Sequence, residues 1–363
     1  MDLVHIKVEF QYVFVPPQGG GMEMIMNTLP LQLHMSQVRE VHPALRWDGV
    51  TPLKQHRDAC TEKLRELLGM DTFTPCEPIF EITEEDVVGG HRHIHFTLQT
   101  EAGYFTHCDL LLPPNQTGKL PLCVCLQGHT KGAHVSLGLT KYPGDEQFTS
   151  PDDQGFCLRA VAEGFAALAI EQRGFGVCGG TPHGPACERH AMTALLLGRT
   201  LIGSRVWDVM RVLDAVEDRF GDLVTMEGSV LVGNSGGGTA TYYTACLEHR
   251  FDGYISSCAV CTYRDSIVDI HHCTCNYVPR IARYFDMGDL AAMIAPKKLV
   301  VVCGDEDDIF PLFGVKEVYG VIETLYEAAG ASDNCALVIG KGGHRFYAND
   351  AWPVMKAMLA RKD

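Results

Sequence analysis

One serine in this chain stands where a serine can become a nucleophile. The run Val230-Leu231-Val232 leads into Gly233-Asn234-Ser235-Gly236-Gly237, and a helix-compatible stretch follows. A serine between glycines at a strand-to-helix turn sits in a strained backbone conformation, with no neighbouring side chain to crowd it. The strain lifts Oγ above the strand ends. The next helix places its free N–H groups and positive end where an oxyanion would form. The chemistry this suits is attack on a carbonyl, with a transient acyl group on Ser235. The glycine–serine pattern alone arises by chance; its seat between an apolar strand and a helix makes it informative.

Such a serine needs a base, and the base needs an orienting acid. Of 16 histidines, His344 alone follows the last apolar run inside a glycine-rich loop, Gly340-Lys341-Gly342-Gly343-His344. It is the expected base, taking the Oγ proton and later returning one to the leaving group. After Leu299–Cys303 come four adjacent carboxylates, Asp305-Glu306-Asp307-Asp308. Only one can hold the far imidazole nitrogen; Asp307 is preferred, with Asp308 and Asp305 as fallbacks. Leu126-Gln127-Gly128-His129 follows an earlier run. The main-chain N–H of His129 is expected to join that of Gly236 in binding the oxyanion. The His129 imidazole either lines the pocket or packs within its loop.

These residues need a scaffold, and the apolar runs supply one. His91–Leu98 and Tyr104–Leu112 read as an antiparallel pair around Gly103. Then Leu122–Leu126, Phe165–Ile170, Val230–Val232, Gly253–Ser257, Leu299–Cys303 and Ala336–Ile339 alternate with helical patterns. Val206, Val209, Met210, Leu213 and Val216 mark one helix; Val315, Val318, Tyr319, Ile322 and Leu325 mark another. Continuous apolar strands between helices predict an α/β class with a mostly parallel sheet of about eight strands. Reactive groups then belong at the carboxyl ends of the strands.

Residues 1–75 differ, so the chain reads as an N-terminal extension and a catalytic domain over 76–363. The extension holds a Gly/Pro loop at 16–21 and one amphipathic helix. Thr51 is the expected cap, Leu53, Cys60, Leu64, Leu67 and Leu68 share a face, and Gly69 stops it. That face must be buried on the main body or on a second copy of the chain.

The formal net charge of −15 excludes the basic surplus that nucleic-acid binding needs, and argues against anionic membranes. With no leader-like start, the 15 cysteines read as reduced thiols in a cytoplasmic protein. Cys258, Cys261, His271, His272, Cys273 and Cys275 raise the question of zinc. The single residue between Cys273 and Cys275 is poor for a zinc knuckle, so no metal is expected. The segment 271–279 reads as a loop, a lid or a pocket wall.

Together, Gly128-His129, Gln172-Arg173-Gly174-Phe175-Gly176, Gly233–Gly237, Gly304–Pro311 and Gly343-His344-Arg345-Phe346 resemble the α/β-hydrolase superfamily. Within it they are most similar to dienelactone-hydrolase-like and acetyl-xylan-esterase-like proteins. Leu197-Gly198-Arg199, Arg205–Asp208 and His272–Pro279 look similar to the same group. The resemblance implies the α/β-hydrolase fold, supports Asp307 as the acid, and gives Arg173 a structural role. One departure is Gln127, where the family more often has histidine before the glycine. The implied activity is a carboxylic-ester hydrolase for a small acyl group such as acetyl, with carbohydrate esters in range and no cofactor. The expected partner is a small ester substrate. A serine peptidase of the oligopeptidase kind and an inactive binding protein of the same fold are the alternatives.

Overall fold

The apolar runs become the strands of one sheet. The computed structural model describes residues 29–181 and 184–361; the Gly/Pro loop at 16–21 lies outside them. Nine strands are β1 (Phe80–Val88), β2 (His91–Glu101), β3 (Tyr104–Leu112), β4 (Leu120–Leu126), β5 (Ala166–Ile170), β6 (Val224–Asn234), β7 (Gly253–Ser257), β8 (Lys298–Gly304) and β9 (Cys335–Gly340). They pair in the order β1-β2-β3-β5-β4-β6-β7-β8-β9. The first three strands run antiparallel along one side, and the six from β5 to β9 are parallel.

Nine strands rather than about eight form the sheet, and the added one is β1. Its sequence, Phe-Glu-Ile-Thr-Glu-Glu-Asp-Val-Val, is exposed along nearly its whole length. Among the described residues it is an edge strand paired only with β2. An edge strand with polar residues on both faces carries no alternation to read, and its carboxylates protect the free edge.

The helices are α1 (Pro30–Glu40), α2 (Leu53–Leu68), α3 (Phe156–Ala162), α4 (Gly176–Gly179), α5 (Cys187–Leu196), α6 (Leu201–Phe220), α7 (Gly236–Leu247), α8 (Ala291–Ile294), α9 (Leu312–Ala328) and α10 (Ala348–Leu359). One face of the sheet packs on α2, α6, α7, α8 and α9, and the other on α3 and α10. Every residue of β5, β7 and β8 is buried between these layers, which is why β5 and the middle of β8 are apolar without alternation.

Helix α2 places Cys60, Leu64, Leu67 and Leu68 in the larger core. Each buried leucine contributes roughly 2 kcal/mol of apolar transfer energy. Gly69 ends the helix at φ 74°, a left-handed position that suits glycine. The start differs from the sequence expectation. Pro52 occupies the N-cap, while the Thr51 hydroxyl donates to Asp48 Oδ2 at 2.7 Å and leaves the helix uncapped by side chains. A nearby carboxylate captured the hydroxyl first. Helix α1 went unread because it has no buried face. Among the described residues, no helix is long and apolar enough to cross a membrane.

Candidate active site

The carboxyl ends of β4, β6, β8 and β9 lie along one edge of the parallel sheet, and the loops after them meet there. Ser235 joins β6 to α7 at φ 53° and ψ −121°. A non-glycine residue in that conformation costs on the order of 1–3 kcal/mol and persists only where surroundings enforce it. The enforcement is visible. The Ser235 N–H donates to Ser257 O at 2.9 Å, and its carbonyl accepts from Thr239 N–H at 2.8 Å to open α7. The glycines give room for close approach. A Cβ on Gly237 would overlap the carbonyl of Leu126, and one on Gly236 would lie 2.6 Å from His129 Cε1. The loop after β4 is thus pressed against the turn that carries the serine. As the first residue of α7, Gly236 has an N–H with no partner inside its own helix.

His344 lies beyond β9, and Asp307 beyond β8. His344 Nδ1 and Asp307 Oδ2 are 2.9 Å apart. The other carboxylate oxygen accepts from the N–H groups of Ile309 at 2.9 Å and Phe310 at 3.0 Å. Burial pushes the Asp307 carboxyl upward, but His344 and these two N–H donors outweigh it and hold the group below the usual carboxylate range. With Nδ1 donating to the carboxylate, Nε2 is the imidazole nitrogen left to accept a proton. Asp305 is engaged elsewhere, accepting from Lys341 Nζ at 2.6 Å and Gly342 N–H at 2.8 Å. Asp308 is exposed. Of the three aspartates, Asp307 is the one that reaches the histidine.

Ser235 and His344 open into one cavity of about 360 Å³. Gly128, His129 and Thr130 form one wall, His271, His272, Cys273 and Asn276 another, and Phe148, Gln154 and Phe310 close it. The 271–276 segment is therefore pocket wall. The His129 imidazole lies edge-on to Phe175 and 3.3 Å from Cys275 Sγ. The Gln127 side chain points into the fold, with Nε2 donating to Glu171 Oε1 at 2.8 Å. Glu171 Oε2 accepts from Ala133 N–H at 3.0 Å. One carboxyl thus braces both ends of the loop that carries His129. Burial pushes that carboxyl up to about 7.

No family model matches the chain. It is 27% identical over 228 residues to "Putative hydrolase YtaP" of Bacillus subtilis (strain 168), covering 62% of this chain and 73% of that one. Among solved structures it is similar to a "putative acetyl xylan esterase" from Bacteroides fragilis NCTC 9343. There the TM-score is 0.72 at 14% identity, over 86% of this chain and 83% of that one. A glucuronoyl esterase from Solibacter usitatus gives 0.63 at 15%, over 88% and 98%. Acetyl Xylan Esterase 1 from Thermoanaerobacterium sp. JW/SL YS485 gives 0.56 at 17%, over 89% and 97%. The chain has the α/β-hydrolase fold.

In this hydrolase fold several residues around the site carry no readable sequence signal. Phe310 stacks on His344 with ring centroids 5.9 Å apart and planes at 17°. Cys258, itself at φ 46°, sits behind Asp307 and His344. Burial, then the Asp307 charge, pushes its thiol well above the ordinary range, so it stays protonated beside the acid. His272 is pushed down to about 4 by burial and by the nearby imidazoles of His344 and His129, and so lines the cavity as a neutral ring. Asp153 accepts from Phe346 N–H at 3.0 Å and anchors the His344 loop from below. Arg173 pairs with Asp208 and Glu101 and stacks on Tyr104, away from the cavity. That pairing gives it the structural place the resemblance implied.

Proposed function

We propose that this chain is a serine carboxylic-ester hydrolase. The observation that carries the reading is the strained Ser235, sharing a cavity with a histidine whose far nitrogen is held by a buried aspartate. Ser235 Oγ attacks the ester carbonyl as His344 Nε2 takes its proton. The oxygen that gains charge is received by the main-chain N–H groups of His129 and Gly236. His344 then protonates the departing alcohol. Water, deprotonated by the same imidazole, releases the acid and frees the serine. Asp307 stays ionised and stabilises the imidazolium. No step calls on a cofactor.

A small acyl group such as acetyl, on an alcohol that can be a sugar, fits a cavity of this size walled by histidines, Gln154 and Asn276. The similar structures named as acetyl xylan and glucuronoyl esterases support the same substrate class. A cytoplasmic location is supported by the fifteen cysteines, none of them joined in a disulfide.

The test is labelling with a fluorophosphonate probe, followed by a panel of p-nitrophenyl esters and acetylated sugars. Labelling of the native chain, lost in Ser235→Ala, is the expected result, with turnover falling as the acyl chain lengthens. A folded native chain that neither reacts with the probe nor turns over any ester would end the reading and leave a binding protein.

A further inference from the structure

Beside the cavity, four ligand-type side chains from three separate parts of the chain converge. His129 comes from the loop after β4, Cys187 from the first residue of α5, and Cys273 and Cys275 from the cavity wall. Their nitrogen and sulfur atoms all lie within 4.8 Å of one another, and His129 Nε2 stands 3.3 Å from Cys275 Sγ. A tetrahedral zinc ion, with bonds of about 2.3 Å to sulfur and about 2.0 Å to nitrogen, sets its ligand atoms about 3.5–3.8 Å apart. The side chains need only small rotations to reach that spacing.

An independent observation comes from Arg205. Its guanidinium is 1% exposed, stacks on Phe175, and donates through Nη2 to Cys187 Sγ at 3.3 Å. Its other bonds go to the carbonyl of Arg173, and Nη1 has no hydrogen-bond partner. Among the described residues no carboxylate pairs with it. A buried cation without a counter-charge is costly. Three thiolates and one neutral imidazole around a divalent ion carry a net charge of −1, and Arg205 is placed to balance it. Phe175, Ala191 and Leu201 pack around Cys187 and Cys275 and shield that side of the cluster, while His129 and Cys273 border the cavity.

We propose that His129, Cys187, Cys273 and Cys275 bind one structural zinc ion. Binding releases three thiol protons to solvent and leaves the histidine neutral. Four protein ligands complete the tetrahedron, so no position remains for water or substrate, and the ion is a fastener rather than a reaction centre. It ties the loop offering the His129 N–H, the start of α5 and the 271–276 wall into one unit. The ligand set differs from the one that sequence spacing raised. Cys258 Sγ donates to the Arg345 carbonyl, Cys261 Sγ to the Pro311 carbonyl, and His272 Nε2 meets Ser266 Oγ. None of these belongs to the cluster.

The experiment is metal analysis by mass spectrometry of the full untagged chain, purified without chelators from zinc-supplied cells. One zinc per chain is expected, and cobalt substitution should give the absorption bands of a tetrahedral thiolate site. Cys187→Ser and Cys275→Ser should each lose at least about tenfold in zinc affinity, while Cys261→Ser keeps its metal. Should the serine variants fail to fold, a mercurial titration of the native chain serves instead. Zinc should then leave in step with modification of Cys187, Cys273 and Cys275, identified by peptide mapping. A folded native chain without zinc, with these thiols freely alkylated or joined in a disulfide, would overturn the proposal. So would zinc retained in a folded Cys187→Ser/Cys275→Ser double variant. Neither readout depends on hydrolysis, so the metal and the esterase readings fail separately.

Discussion

Two clusters border the same cavity, and both are built from side chains far apart in sequence. Ser235, His344 and Asp307 form one; His129, Cys187, Cys273 and Cys275 form the other. Each member of the first follows a strand of the parallel sheet, so its position is inherited from the sheet's regular spacing. In the second only His129 follows a strand, β4; Cys187, Cys273 and Cys275 hang on a helix start and a short turn, which no sheet register aligns. The first keeps an imidazole nitrogen and a hydroxyl open to the cavity, whereas the second turns all four ligand atoms toward each other. Openness suits chemistry and closure suits fastening, and the two walls divide along that line.

The largest expected effect separates them outright. Ser235→Ala and His344→Ala should each lower turnover of p-nitrophenyl acetate by about 10⁵-fold or more, with the melting temperature nearly unchanged. Near-native turnover in His344→Ala would remove that residue from the mechanism. Asp307→Asn should cost about 10⁴-fold, because the imidazole loses its orienting carboxylate. The exposed Asp308→Asn should change turnover by less than about threefold by the same logic. Reversal of that ranking in steady-state kinetics would mean that another carboxylate orients the base.

Cys187→Ser reverses the pattern. Thermal unfolding should reveal a loss of about 3 kcal/mol or more, as for removal of a buried ligand. Activity should fall mainly through a raised KM as the cavity wall loosens. A variant as stable as the native chain would place Cys187 outside any fastening role.

The last effect, spread over three pH units, concerns the carboxyl that braces both ends of the His129 loop. The Glu171 carboxyl is raised to about 7 in the fold from about 4.5 in the unfolded chain. Its contribution is therefore fully present below pH 4.5 and is lost as pH rises through 7. Denaturant titrations should find Glu171 lowering stability by roughly 3 kcal/mol between pH 5 and 8, an order-of-magnitude figure. The conservative Glu171→Gln should flatten that dependence. An unchanged slope in the variant would assign the pH effect to other groups.

Much of the fold was legible because a parallel sheet buried on both faces requires unbroken apolar runs. Leu122–Leu126, Phe165–Ile170 and Leu299–Cys303 could be read directly for that reason. The edge strand β1 was not legible, since solvent on both sides removes the pattern. The turn around Ser235 was legible from its glycines, which the close approach of Leu126 and His129 demands. The choice among Asp305, Asp307 and Asp308 was narrowed by the family resemblance. It is decided by which side chain turns inward, and that depends on the Ile309 and Phe310 N–H groups and on Lys341.

The sequence by itself determined the glycine-flanked turn at Ser235, the chain order of Ser235, Asp307 and His344, and the class of sheet that carries them. These are local patterns, set by strand and turn geometry within a few residues. Only the tertiary structure brought His129 to Cys275, 146 positions away, and set a buried arginine beside Cys187. Convergence of that kind depends on how α5 and the 271–276 wall pack over the β4 loop. Packing between distant segments leaves no period or spacing in the chain for a reader to find.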